Sequence, residues 1–253
     1  MLRWLCSLSW VSIEAVCPIP PEQDSEAAEE MMQVISENHL SVYSMEQVKE
    51  MRFDIGLSVN YHKIISADIL KTCYKGFYNV HHSYNLRLRG RNITTHAILN
   101  SRKDNIYYHG TTLHKMVPEL DAGPIVASVA CEIGKDDTAY TLFKKADSLA
   151  LQLVMEWFPR IVTQTVYGYQ PPSEDVHYYK SKDLPSKKIP VETLTSEEVY
   201  DYVRAFDFPG NEPAYIIDNG VKPLVIKSRE DYTQKIFVAG KYYYTRHSDD
   251  SNY

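Results

Sequence analysis

F-Y-N-V-H-H-S-Y-N-L-R-L-R-G, residues 77–90, opens as an apolar strand and turns abruptly polar. Phe77 to Val80 has the aromatic and β-branched composition of a buried strand. Asn79, His81, His82, Ser83, Arg87, Arg89 and Arg91 then crowd chemically capable side chains around its carboxyl end. In open α/β sheets, sites lie outside the carboxyl ends of the strands. The stretch is therefore either a reaction centre or a polar loop that carries histidines.

Working outward, F-D-I-G-L-S-V-N (53–60), Tyr108 to His114 and Ile125 to Glu132 read as further strands. S-W-V-S-I-E-A-V-C (9–17) reads as a buried strand, and Leu40 to Tyr43 as a short extended piece. A helix follows Asp24 or Ser25, either of which can cap it, and His96 to Leu99 sits in another. From Thr138 to Val162, Leu142, Phe143, Ala146, Leu149, Leu153, Val154 and Trp157 form one apolar stripe at helical spacing. Strands alternating with helices imply an α/β fold, a mainly parallel sheet with helices on both faces.

After residue 165 the character changes. Residues 166–190 carry several prolines and little periodicity, which predicts a linker draped over the surface. Residues 191–253 predict a small, mostly β appendage. A capping box from Thr195 to Glu198 starts one helix, and Asn219-Gly220 and Ala239-Gly240 suggest hairpins. The expected division is residues 1–165, 166–190 and 191–253.

The net charge of −6 argues against a general polyanion binder. Cys6, Cys17, Cys73 and Cys131 lack metal-binding spacing, so no metal is expected, and they read as reduced residues of a cytoplasmic protein. No apolar run is long enough to span a membrane. The start, M-L-R-W-L-C-S-L-S-W, faintly imitates a signal peptide, but its apolar region is short and Glu14 follows soon.

A second polar block, G-T-T-L-H-K-M-V-P-E-L-D-A-G-P-I-V (110–126), places Asp121 in a loop after a strand. Asn79, His81 and Asp121 could converge. That trio suits attack of an amine on a carbonyl carbon. The amide donates to the oxygen that gains charge, the imidazole adds a donor or a proton, and the carboxylate manages the amine proton. No side-chain nucleophile is needed. The structural alternative is that His81 caps a strand and Asp121 closes a turn, and spacing alone leaves both open.

Asn79-Val80-His81-His82-Ser83 with Arg89-Gly90, and Gly110-Thr111-Thr112-Leu113-His114 with Leu120-Asp121-Ala122-Gly123-Pro124-Ile125, resemble the two signatures of the folate-dependent formyltransferase family. Their order and separation fit as well. The resemblance covers about residues 11–165, and Arg204-Ala205 with Phe208-Pro209-Gly210 is similar to the start of the family's C-terminal part. It implies a Rossmann-like catalytic domain and formyl transfer from 10-formyltetrahydrofolate to an amine. By matched position, Asn79 would hold the formyl oxygen, His81 would assist electrostatically and Asp121 would manage protons. Leu57, Val59, Tyr61, Val117, Glu119 and Leu120 would line the folate site. His82, Ser83, Arg89 and Gly90 are the candidates for touching the acceptor, and His114 would support the loop.

There are departures. His82 stands where the family usually has Pro, and Leu86-Arg87 where it often has Leu-Pro. The family's first strand, which lies mid-sheet, has no counterpart. Either residues 2–10 partly substitute for it, or the chain is a shortened form of doubtful activity.

Three acceptors are implied by relatives. Methionyl-tRNA would demand a basic face, yet Trp4 to Val48 holds no Lys or Arg and eight acidic residues. Glycinamide ribonucleotide is used by relatives that lack the appendage. A nucleotide-linked amino sugar fits the compact chain, with Arg87, Arg89 and Arg91 available to a pyrophosphate, and is the expected partner. A catalytically silent member acting as a binding or scaffold protein is the rival reading. A homodimer is left open.

Overall fold

The computed structural model describes residues 1–20, 25–61, 63–218, 222–225, 234–238 and 241–245. In chain order the elements are α1 (Leu2–Cys6), α2 (Ser25–Glu37), α3 (Met45–Val48), β1 (Phe53–Val59), α4 (Ala67–Leu70) and β2 (Cys73–His81). They continue with β3 (Leu88–Gly90), α5 (Ile93–Asp104), β4 (Tyr108–Lys115), β5 (Ile125–Glu132) and α6 (Ala139–Val162). The last are β6 (His177–Tyr179), α7 (Ser196–Ala205), β7 (Tyr215–Asp218), β8 (Lys222–Val225), β9 (Gln234–Val238) and β10 (Lys241–Thr245). The main sheet has the order β1-β2-β4-β5 and is mixed, with β1 and β2 parallel and β2 and β4 antiparallel. No helix among the described residues is long and apolar enough to cross a membrane.

The chain forms two compact units. The first takes Met1–His81, Thr112–Ala127 and Leu151–Pro171. Val48, Ile65, Ile69, Cys73 and Phe77 are buried together in it, with Phe53, Tyr61 and Met116 packed against them. Each fully buried side chain of this kind contributes about 1.5–3 kcal/mol. A regular strand over residues 9–17 does not form. Only Val16 makes a bridge, to Val42, donating to Ser41 O and accepting from Tyr43 N–H. Pro18 and Pro20 follow at once and lack the N–H groups a ladder needs. Ser12 is bonded locally to Glu14 instead.

The second unit takes His82–Thr111, Ser128–Ala150 and Pro172–Tyr253. Its core gathers Leu88, Ile98, Leu142, Ile189, Val199 and Ile216. α7 starts at the capping box read from Thr195 and Glu198 and packs on α5. Buried Asp201 of α7 holds Arg102 at 2.8 Å and Arg204 at 2.9 Å. Arg204 Nη1 also donates to Gly134 O and Asp137 O. Here the charges are paired on both sides, as burial requires.

Residues 166–190 are held at two places. Tyr169 exchanges two backbone hydrogen bonds with Ile125 in the first unit, and β6 pairs parallel with β3 in the second. Gly90 permits that pairing, because it has φ +92° and a Cβ there would lie 2.1 Å from Tyr179 O. β7 with β8 and β9 with β10 form antiparallel pairs. The turn residues Asn219-Gly220 and Ala239-Gly240 lie outside the described residues.

Candidate active site

The first unit builds the site around the last residues of β2. Side chains alternate along a strand, so Asn79 and His81 share one face while Val80, 2% exposed, points into the core. Antiparallel pairing sets Asn79 directly opposite His114 of β4. Asn79 Nδ2 and His114 Nε2 are 3.2 Å apart. The tautomer follows from the partners. His114 Nδ1 lies 3.3 Å from Lys115 O, which can only accept, so Nδ1 carries the proton. Nε2 then accepts from the Asn79 amide. This fixes which end of the amide is nitrogen and leaves its second N–H to donate elsewhere.

Asp121 returns to this group from the loop after β4. Its Oδ2 lies 3.9 Å from His81 Nδ1, and its Oδ1 lies 4.0 Å from His114 Nε2. At each of these separations one water can bridge the pair. The carboxylate side chain is 9% exposed and that of His81 is 12% exposed, so the charges would act in a poorly solvated place. The loop is built to present it. Asp121 has φ +49°, a left-handed turn conformation that Asp tolerates better than most residues. Two residues on, a Cβ at Gly123 would lie 1.8 Å from Lys115 O. Lys115 N–H donates to Pro124 O across the same turn. The tight Ala122-Gly123 passage therefore lets the chain fold back at Asp121.

Thus the three residues read as catalytic come together, and His114, read as loop support, joins them. The signal that could have found it is register. In an antiparallel pair of strands the residue facing Asn79 belongs to its constellation.

Among the folate candidates, Leu57 and Val59 register with Tyr78 and Val80, on the face opposite Asn79. Ser58, which is buried and was not singled out, registers with Asn79 itself. Tyr61 follows the same strand, half-buried. Val117 and Leu120 are half-buried in the loop leading to Asp121, and Glu119 is exposed.

The acceptor candidates lie in the second unit, and each has a local engagement there. His82 is 7% exposed, with Nδ1 2.7 Å from Thr111 Oγ1 and its ring edge-on to Phe143. It also lies 3.7 Å from Asp147, whose carboxyl the His82 contact holds below its ordinary range. Ser83 Oγ accepts from Leu88 N–H at 2.8 Å. Arg89 Nε donates to Leu86 O, and Gly90 serves the β3–β6 pairing. Arg87, one of the three alternating arginines, is paired with Asp104 at 3.1 Å.

Comparison with known proteins bears on what such an arrangement does. The family model described as formyl transferase matches residues 17–157. The methionyl-tRNA formyltransferase of Kosmotoga olearia is 30% identical over 162 residues, which is 64% of this chain and 50% of that protein. The chain thus spans about half the length of this curated relative. Among solved structures, a 4-N formyltransferase from Francisella tularensis superposes with TM-score 0.65 at 19% identity, covering 82% of each chain. The N-formyltransferase of Helicobacter canadensis, solved with folinic acid and dTDP-3-aminofucose, gives TM-score 0.67 at 20% identity, covering 85% of this chain and 78% of that one. At these identities the likeness is one of fold, a Rossmann-like α/β architecture.

Proposed function

Because the chain belongs to the formyl transferase family, we propose that it moves a formyl group from 10-formyltetrahydrofolate to the amine of a nucleotide-linked amino sugar. The observation that carries this reading is the convergence of Asn79, His81, His114 and Asp121 at one strand end.

The donor set fits a formyl donor that arrives already activated. It offers an amide N–H, imidazoles and a carboxylate, the groups that direct attack by an amine needs. As the amine attacks, charge grows on the formyl oxygen. The second N–H of Asn79, aimed by His114, donates to that oxygen, and one such donor is worth roughly 3 kcal/mol. His81 supplies a second donor. Asp121 orients His81 and takes the proton released by the attacking amine, through a water at the separations observed. As the oxygen's charge collapses, the bond from the formyl carbon to N10 of the folate breaks, and that nitrogen receives the proton and leaves as tetrahydrofolate. In the folate site, Tyr61, Val117 and Leu120 would present mainly apolar surface to the pterin.

The choice of acceptor rests on charge. The stretch Trp4 to Val48, with eight acidic residues and no Lys or Arg, repels a polyphosphate. Methionyl-tRNA is the second reading, favoured by the relative from Kosmotoga olearia. The test is incubation of the protein with 10-formyltetrahydrofolate and a panel of amines, following release of tetrahydrofolate and the mass of the product. Formylation of a nucleotide amino sugar supports the proposal. Formylation of methionyl-tRNA alone overturns the acceptor and keeps the chemistry. Folate binding with no amine consumed favours the silent-member reading.

A further inference from the structure

A buried polar network stands at the residue that follows His81. His82 is 7% exposed and occupies the position where the formyl transferase family usually has Pro. Its Nδ1 lies 2.7 Å from Oγ1 of Thr111, which is 0% exposed. The direction of that bond follows from its neighbours. Thr111 has one hydroxyl hydrogen, and it goes to Ala146 O at 3.1 Å, a carbonyl that can only accept. Thr111 Oγ1 is therefore the acceptor, and His82 Nδ1–H donates to it. One line of bonds runs from His82 through Thr111 of β4 to the backbone of α6.

The ring is also packed. Phe143 meets it edge-on with centroids 5.0 Å apart, and Phe143 in turn meets Phe208 at 5.6 Å. Asp147 lies 3.7 Å from Nε2, beyond hydrogen-bond reach, and its side chain is 47% exposed. Water screens that pair, so the anchoring falls to the Thr111 bond and the aromatic contacts.

The place of this network gives it a use. β2 and β4 pair Val80 with Leu113 and His81 with Thr112. His82 and Thr111 are the next residues of the two strands' chains, so their bond closes the pair at the end that carries His81. An imidazole is only as well aimed as the backbone beneath it, and a misplacement of about 1 Å can lower a rate roughly a hundredfold. Proline stiffens the backbone by itself, holding φ at about −65°. Histidine does not, and here its side chain supplies the restraint instead.

We propose that His82 is a positioning residue: held by Thr111 and Phe143, it fixes the carboxyl end of β2 so that the His81 imidazole faces the reacting carbonyl. The proposal deepens the formyl-transfer reading and rests on it for the reaction that His81 serves.

The test pairs steady-state transfer from 10-formyltetrahydrofolate to a nucleotide-linked amino sugar with nitrogen-15 NMR of the His81 ring, both on the full chain. Thr111→Val keeps volume and removes the acceptor of the His82 bond. It and His82→Ala should each lower kcat about tenfold or more, with KM for both substrates within about twofold. Both should broaden or multiply the His81 signals. His82→Pro should recover the rate and a single set of His81 signals, because it stiffens the backbone without the side chain. Asp147→Asn should change either readout by less than about twofold. Melting curves verify folding, and if His82→Ala does not fold, Thr111→Val and His82→Pro decide. A raised KM for the amine in both His82 variants, at unchanged kcat and unchanged His81 signals, would make His82 an acceptor contact and overturn the proposal. Wild-type kcat in Thr111→Val and His82→Ala, or no recovery in His82→Pro, overturns it too. If the wild type transfers no formyl group, the formyl-transfer reading fails and the His81 signals decide the anchor alone. Signals disturbed in Thr111→Val and single in His82→Pro keep it, and signals unchanged in Thr111→Val overturn it.

Discussion

The stretch 77–90 is continuous in sequence and carries chemically capable side chains in both halves, yet the two halves have opposite characters. Up to His81, the polar side chains alternate with buried ones and face other polar groups of the first unit: Asn79 meets His114, and His81 meets Asp121. From His82 onward, in the second unit, they are absorbed into local structure. Ser83 serves a turn, Arg87 pairs with Asp104, Arg89 holds a carbonyl and Gly90 admits a neighbouring strand. Density of capable residues therefore does not identify a site. What does is whether a residue's polar end meets other polar groups that leave it capacity to act.

The comparison breaks most directly at Asn79. Asn79→Ala removes the amide that His114 aims, and turnover should fall roughly a hundred- to a thousandfold with the thermal transition little changed. Asp121→Asn keeps shape and removes charge, and it should fall comparably. Steady-state rates beside melting curves measure both. Retained turnover in both variants would show that the first half is as structural as the second.

On the other side, Gly90→Ala should cost stability. It forces φ +92° on a residue with a Cβ and drives that Cβ against Tyr179 O. The strain alone is roughly 1–3 kcal/mol. Ser83→Ala removes the hydroxyl that accepts from the buried Leu88 N–H, for about 1–3 kcal/mol. In both, the rate per folded molecule should hold within a few-fold. Urea melts combined with active-site titration test this. A selective loss of rate at unchanged stability would return Ser83 to the acceptor site.

His114 sharpens the comparison further. It never needs to touch a substrate, so His114→Gln, which can still accept from Asn79, should keep most of the rate. His114→Phe should lose on the order of tenfold in kcat with little change in KM. Equal losses in the two variants would mean that volume, not orientation of the amide, is what His114 provides.

These differences explain what could be read in advance. Strands at 53–59, 108–115 and 125–132, the long helix and the Thr195 capping box were legible because period and cap chemistry are local. Asn79, His81 and Asp121 were legible through their motifs. His114 was not, since its part depends on the β2–β4 register, a long-range fact. The local engagements of the acceptor candidates were not legible for the same reason. Nothing local says that Arg87 will find Asp104 or that residue 90 must clear Tyr179 O. The expected strand at 9–17 did not form: Pro18 and Pro20, which lack ladder donors, follow its apolar pattern at once.

The smallest effect concerns protons in the second half's surroundings. His96 is 3% exposed and stacks on Tyr179, the register partner of Gly90, with ring centroids 3.7 Å apart. Burial lowers its pKa, with Asp183 opposing. Above about pH 6.5, folded and unfolded chains both hold a neutral imidazole and the contribution to stability is full. As the pH falls below that value, the unfolded chain takes up a proton that the folded one refuses, so stability declines toward acid. The slope cannot exceed about 1.4 kcal/mol per pH unit for one group. His96→Gln should flatten the decline between about pH 6.5 and 5 while lowering stability at neutral pH through the lost stack. Turnover normalised to folded protein should keep its pH profile, because His96 belongs to the half that holds shape. A shifted activity profile in His96→Gln would tie that half to the chemistry after all.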